Sequence, residues 1–143
     1  MLVYMDLCCF NRPFDDQAQP RVYLETEAKL FIQRKIKDGK IELAWSYMLD
    51  YENSANPDID ARNSIYRWHS VAARTIIASP TILADASRFH EAGFGIKDSL
   101  HIACALGCKA DFFMTVDKGI LAKQTSVVDL KIINPVEFIN LEV

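Results

Sequence analysis

The sequence has no apolar run approaching the ~20 residues that a membrane-crossing helix needs. It also has no basic stretch ahead of an apolar one, because Met1-Leu2-Val3-Tyr4-Met5 meets Asp6 too early for a secretion signal. The expectation is a cytoplasmic protein without a membrane. Charge of one sign is missing too: 16 Lys and Arg against 19 Asp and Glu leave a net −3. Composition therefore neither requires nor excludes nucleic acid, since local patches and bound cations set the field a substrate feels. No G-x-x-x-x-G-K-[ST] or G-x-G-x-x-G occurs, so a nucleotide cofactor has no motif to support it. No Ser or Cys sits in a G-x-S-x-G elbow, so acyl chemistry has no support. The four cysteines, Cys8, Cys9, Cys104 and Cys108, lack C-x₂-C spacing. They are expected to be small buried hydrophobes in a reducing compartment. Repeats, low-complexity segments and linkers are absent from the 143 residues, half of them hydrophobic. One domain spanning 1–143 with a real core is the expectation.

What is present alternates between short apolar runs and helical patterns. Leu2 to Met5 reads as a first strand, with Asp6 at its carboxyl end, and Asn11 to Asp16 as a turn-rich loop. Arg21 to Asp38 predicts a helix with Val22, Leu24, Ala28, Phe31, Ile32 and Ile36 inward, ended by Asp38-Gly39. Ile41 to Trp45 predicts a second strand, and Ser46 caps a helix from Tyr47 to Ala55 that carries Glu52. Asp58 or Asp60 caps a helix through Arg74 with Ile65, Trp68, Val71 and Ala72 inward. Thr75 to Ala78 fits either the end of that helix or a short strand. Ser79-Pro80 opens a helix from Thr81 to Ala92 that stops at Gly93. A helix beginning after Gly95 carries Asp98 in its first turn. Its face Leu100, Ala103, Cys104, Gly107 is suited to lying close on a sheet, with Gly107 placed to end it. Phe112 to Met114 has the continuous apolar pattern of a strand covered on both faces. A helix from Lys118 to Gln124, a strand from Leu130 to Ile133 and a helix from Pro135 to Leu141 complete the chain. Strand and helix in alternation predict α/β: a three-layer sandwich whose central parallel sheet has four or five strands.

In such a sheet adjacent strands present their carboxyl ends on one edge, where ligands bind. Asp6 and Asp117 follow strands, and Glu52 and Asp98 lie on helices beside those ends, so four carboxylates can converge. Taken singly, Asp6 is a turn former, Asp98 and Asp117 are helix caps, and Glu52 is an ordinary surface helix residue. Converged and unneutralised, they would repel and raise one another's pKa. A hard divalent cation such as Mg²⁺ or Mn²⁺ resolves this, and supplies phosphodiester chemistry. His101, one turn beyond Asp98, reads as a hydrogen-bonding or packing residue rather than a ligand. Asp15, Asp16, Asp50 and Asp85 read as turn and surface residues. Arg12, Arg21, Arg34, Lys35, Lys37 and Lys40 read as a solvated face, or as a basic rim for phosphates.

The order strand-Asp6, helix-Glu52, Asp98-Ser99-Leu100-His101-Ile102-Ala103, then Thr115-Val116-Asp117 and Asn134-Pro135-x-x-Phe138 resembles the PIN domain family. These are small metal-dependent ribonucleases, many of them VapC-type toxins of toxin–antitoxin pairs, and the likeness runs over essentially the whole chain. It implies Asp6, Glu52, Asp98 and Asp117 as the Mg²⁺ or Mn²⁺ ligands and catalytic acids, with Thr115 orienting the site. It further implies an RNA substrate, such as tRNA, cut to a 5′-phosphate product. A small antitoxin and a second copy of the chain are the partners it suggests. Leu7 departs from the family, which often has a small hydroxyl residue after the first acid. The rival reading is an inactive PIN-like module that binds RNA or protein around a structural metal. A receiver-like phosphoacceptor would want paired acids before Asp6, and a phosphatase would want D-x-D where Asp6-Leu7-Cys8 stands.

Overall fold

The computed structural model describes residues 1–142. The chain begins on β1 (Leu2–Met5), all four residues buried. Asp6 then turns it into α1 (Leu7–Asn11) and a 3₁₀ turn over Arg12–Phe14. The long helix α2 (Pro20–Lys37) leads to β2 (Glu42–Ser46), and α3 (Tyr47–Ser54) follows without a loop. Next come α4 (Ile59–Tyr66), a 3₁₀ extension over Arg67–Val71 and the edge strand β3 (Arg74–Ile76). Helices α5 (Pro80–Glu91) and α6 (Ile96–Gly107) pack as a pair ahead of β4 (Phe112–Met114). The chain ends with α7 (Lys118–Ala122), a 3₁₀ turn over Gln124–Ser126, β5 (Lys131–Ile133) and α8 (Pro135–Glu142).

All five strands are parallel, in the order β3-β2-β1-β4-β5. The expected α/β sandwich is therefore present, with five strands. Successive crossovers run from β1 outward to β3, then return to the other side for β4 and β5. The order reverses between β1 and β4, and open sheets of this kind form their ligand crevice at that point. Met5 lies beside Met114 in register, and the Asp6 N–H donates to the Met114 carbonyl at 2.9 Å. Strand β1 is the sheet's centre, so its side chains are sealed on both faces: Tyr4 stacks on Phe113 with centroids 5.4 Å apart. Phe10 of α1 meets Trp45 of β2 edge-on, closing the core above that face.

Several elements differ from expectation for physical reasons. Helix α1 escapes the apolar-period reading because it is one turn long, yet Asp6 caps it by accepting the Leu7 N–H at 2.8 Å. The stretch from Asp58 to Arg74 breaks after Tyr66 into a 3₁₀ turn, exposing Val71, and Arg74–Ile76 resolves as a strand. On α2 the expected Leu24 points to solvent and Phe31 is half-exposed, while Glu25, Thr26, Lys29 and Gln33 are buried. Gly107 does not terminate α6 by a left-handed turn. Lys109 takes that conformation, with φ 59°. Gly107 instead permits close approach: a Cβ there would lie 2.5 Å from Ile82 Cδ1 and 2.9 Å from Ile76 Cδ1.

Candidate functional site

Strand β1 delivers Asp6 to the crevice, and the first turn of α1 fixes its carboxylate. Oδ1 accepts from the Leu7 N–H at 2.8 Å, while Oδ2 accepts from the Thr115 hydroxyl at 3.0 Å and the Cys8 thiol at 3.3 Å. Leu7, the departure noted in the sequence, contributes only its backbone here. Cys8 and Thr115 supply the side-chain support that a hydroxyl residue would have given. Cys8 is thus half-buried at the site, whereas Cys9, Cys104 and Cys108 are buried as expected and all four are free thiols. Burial raises the Asp6 carboxyl above its ordinary pKa, and Glu52 adds to this. His101, Cys8 and Thr115 pull the other way.

Thr115, fully buried just past β4, ties two of the acids together. Its hydroxyl donates to Asp6 and accepts the Asp117 N–H at 3.1 Å. Asp117 is exposed and caps α7 by accepting the Ile120 N–H at 3.1 Å, so its cap role and its place at the crevice coexist. The carbonyl between them, on Val116, accepts from Arg21 at 2.9 Å. Arg21 and Arg12 also donate to buried Glu25, at 3.1 and 2.9 Å, and Asn134 joins them at 2.5 Å. Neither arginine therefore belongs to a free basic rim.

Glu52 comes from α3 and accepts from His101 Nε2. The opposite ring nitrogen, Nδ1, lies 2.6 Å from the Tyr4 hydroxyl, which is itself 2.6 Å from Ser46 Oγ. Burial raises the Tyr4 phenol well above its ordinary value, so it keeps its proton. Nε2–H donates to Glu52; either hydroxyl can be the donor in the Ser46–Tyr4 bond, and the sense of the Tyr4–Nδ1 bond follows the charge on the ring. Burial pushes the Glu52 carboxyl up, but the His101 bond and charge, with help from Lys97, prevail and hold it below its usual value. The hydrogen-bonding role read for His101 is what the geometry displays. Tyr4 and Ser46 were invisible in the sequence because only strand register brings them to the ring.

Asp98 stands in the first turn of α6, though Gly95, not Asp98, occupies the capping position. It is half-buried and its pKa is pushed up to about 6 by burial, then by Asp6, Asp117 and Glu52 against a smaller pull from His101. The four acids therefore feel one another. Ligand atoms of Asp6, Glu52 and His101 lie within 4.8 Å of one another, a group that could hold a metal ion; Asp98 and Asp117 are not part of this group, though Asp98 feels Asp6, Asp117 and Glu52 electrostatically. While Nε2 donates to Glu52 it is not free to ligate, which leaves carboxylate oxygens as the donors. An oxygen-rich, mutually repelling set of this kind fits a hard divalent cation.

No protein-family model matches the chain, and no curated protein matches it by sequence. Solved structures do match it along nearly its whole length. A VapBC2 structure from Rickettsia felis, bound to a DNA fragment from the promoter, aligns at 14% identity, covering 94% of this chain and 98% of the other, TM-score 0.57. FitAcB from Neisseria gonorrhoeae aligns at 15% identity over 93% and 97%, TM-score 0.57. VapBC-1 from nontypeable Haemophilus influenzae aligns at 13% over 94% and 98%, TM-score 0.58. The fold is PIN-like. At such identities the likeness is one of architecture, and the PIN-like sheet is what places Asp6, Thr115 and Asp117 on one edge.

Substituting Asp98 is expected to stabilise the metal-free protein. Its folded pKa of about 6 exceeds the ordinary 3.8, so the folded state keeps a proton that the unfolded state releases. That contribution is full below about pH 4 and is lost as pH rises through about 6. At pH 7 the ionised group costs on the order of 1 kcal/mol after allowance for its partial exposure. Asp98→Asn should raise the metal-free Tm by ~3 °C at pH 7 and leave it unchanged at pH 4. A thermal melt in EDTA checks this; an equal shift at both pH values would mean that Asp98 carries no such strain.

Proposed function

We propose that this chain is a metal-dependent endoribonuclease of the PIN domain family, acting in the cytoplasm as the toxin of a toxin–antitoxin pair. The observation that carries the reading is the meeting of Asp6, Glu52 and His101, with ligand atoms within 4.8 Å of one another, at the crevice between β1 and β4, beside Asp98, whose pKa burial and the neighbouring Asp6, Asp117 and Glu52 push up to about 6. Asp6, Glu52, Asp98 and Asp117 would hold Mg²⁺ or Mn²⁺. Such a cation supplies an activated water and charge neutralisation for in-line displacement at an RNA phosphodiester.

The chain's own residues have separate tasks in this scheme. Asp6 is held in one orientation by three donors, so its free lone pairs face the crevice. Thr115 couples that carboxylate to the backbone of Asp117, keeping two ligands at a fixed separation. His101 aims Glu52, leaving Oε2 for the site. A ligand group oriented by such an outer partner typically binds 10- to 100-fold better than one left free. An antitoxin and a second copy of the chain are the protein partners consistent with this reading. Among the described residues no helix is long and apolar enough to cross a membrane.

The test is cleavage of RNA by purified protein across a Mg²⁺ and Mn²⁺ series, beside Asp98→Asn. Metal-dependent cutting that disappears in the folded variant supports the nuclease. Tight Mn²⁺ binding with no cutting of any RNA would favour the binding module with a structural metal.

A further inference from the structure

The stripe of α2 that turns inward is polar where it should be apolar. Lys29 is only 4% exposed, and among the described residues it has no carboxylate within ion-pairing distance and no hydrogen-bond acceptor. Its ammonium instead faces the Phe10 ring, 5.7 Å from the centroid. One turn along, the Gln33 side-chain amide is buried and its Nε2 has no partner. Both groups line a cavity of about 230 Å³ enclosed by α2, the Arg12–Phe14 turn and the Ser64–Trp68 segment. Phe10, Ile65 and Trp68 supply its apolar side, and Lys37 stands over the Trp68 ring at 5.2 Å.

A buried ammonium without a counter-charge is costly, and so is an unpaired amide donor. Burial draws the Lys29 pKa from 10.5 down to about 8, with nearby Cys9 opposing this, so the cost is already visible in the ligand-free protein. Lys29 Nζ and the unpartnered Gln33 Nε2 come from positions i and i+4 on one helix face and so point the same way. The geometry points to a binding site for a compact monocarboxylate on a flat apolar body. One carboxylate oxygen would meet Lys29 and the other Gln33 Nε2, with the apolar body against Ile65 and Trp68. A single deep cation matches a single negative charge; a phosphate dianion would bury more charge than Lys29 neutralises. The cavity lies below the ~300 Å³ at which sites for drug-sized ligands begin, so a one-ring acid is the right scale. The site shares no residue with the carboxylate cluster, and it stands whether or not that cluster is a nuclease. A free acid and a glutamate inserted by another chain present the same chemistry.

The experiment is a protein-observed ¹H–¹⁵N NMR titration with benzoate, benzamide and inorganic phosphate, repeated on Lys29→Met, which keeps the stem and removes the buried charge. Saturable benzoate binding is expected, with shifts centred on residues 10, 29–37 and 64–68. Benzamide and the Lys29→Met variant should each bind at least tenfold more weakly. N-acetyl-glutamate amide tests the other source: Lys29-dependent binding by it in place of benzoate would support an inserted side chain. Equal binding of benzamide, equal benzoate binding by Lys29→Met, preference for phosphate, or no saturable binding by either acid would each overturn the assignment.

Discussion

Asp6→Asn is expected to reduce metal-dependent RNA cleavage on the order of 10³-fold, while the metal-free protein melts no lower than the wild type. The two effects have one origin. Asp6 is buried, and burial raises its folded pKa, so its environment opposes the charged form. Its contribution to stability is present at low pH and is lost as pH rises through the folded pKa. Asparagine preserves the shape, still accepts the Leu7 N–H, and can donate to the Thr115 hydroxyl, so relief of the buried charge offsets the altered bonds. The charge that opposes folding is the one a cation would use. Melting curves with and without Mn²⁺ measure both sides: added Mn²⁺ should raise the wild-type Tm and leave that of the variant nearly unmoved. If the variant cuts RNA as fast as the wild type, Asp6 does not belong to the catalytic set.

Glu25→Ala should destabilise the fold by about 3 kcal/mol, a loss on the scale of truncating a large core side chain. Glu25 is 2% exposed and accepts from Arg12, Arg21 and Asn134, which belong to the turn after α1, to α2 and to the end of β5. Removing it leaves three donors facing an apolar gap. Both arginines can swing outward to water, so the expected loss sits at the low end for a broken buried ion pair. A fall in Tm of ~10 °C follows for a chain of this length. Because Arg21 also holds the Val116 carbonyl between Thr115 and Asp117, the variant should bind Mn²⁺ more weakly even where it remains folded. Denaturant unfolding checks the first claim and calorimetry the second. A loss under 0.5 kcal/mol would show that the arginines re-pair without cost.

How far the sequence revealed this depended on what each residue's position demanded. Strands β1 and β4 were readable because a central parallel strand must be apolar on both faces, and the acids after them because a strand's end is a fixed place. Asp117 likewise follows from one short run, whereas Thr115 was singled out only by the resemblance to the PIN domain family. The Glu25 network and the lone Lys29 were not readable. On a helix wheel a buried charge looks like a solvated one, and only the partner's location, 109 residues away for Asn134, distinguishes them. The reach of His101 to Tyr4, 97 residues earlier, was hidden in the same way, although His101 itself was placed correctly as a hydrogen-bonding group. Gly107 is the last residue of α6, as its position suggested, but its second role, admitting Ile82 and Ile76, was not legible because it depends on distant residues.

The two outer strands of the sheet, β3 and β5, are three residues each, and each begins with a cation, Arg74 and Lys131. Arg74 turns back to donate to the Cys108 carbonyl at 3.0 Å. Short, charged borders of this kind resist edge-to-edge joining, the usual opening to fibril growth or to capture of a stray extended peptide. Another chain seeking to lengthen the sheet would find a ladder too brief to hold it. Recruitment of other molecules is thereby left to the helical faces, where exposed Tyr23, Leu24 and Leu30 lie along the outside of α2.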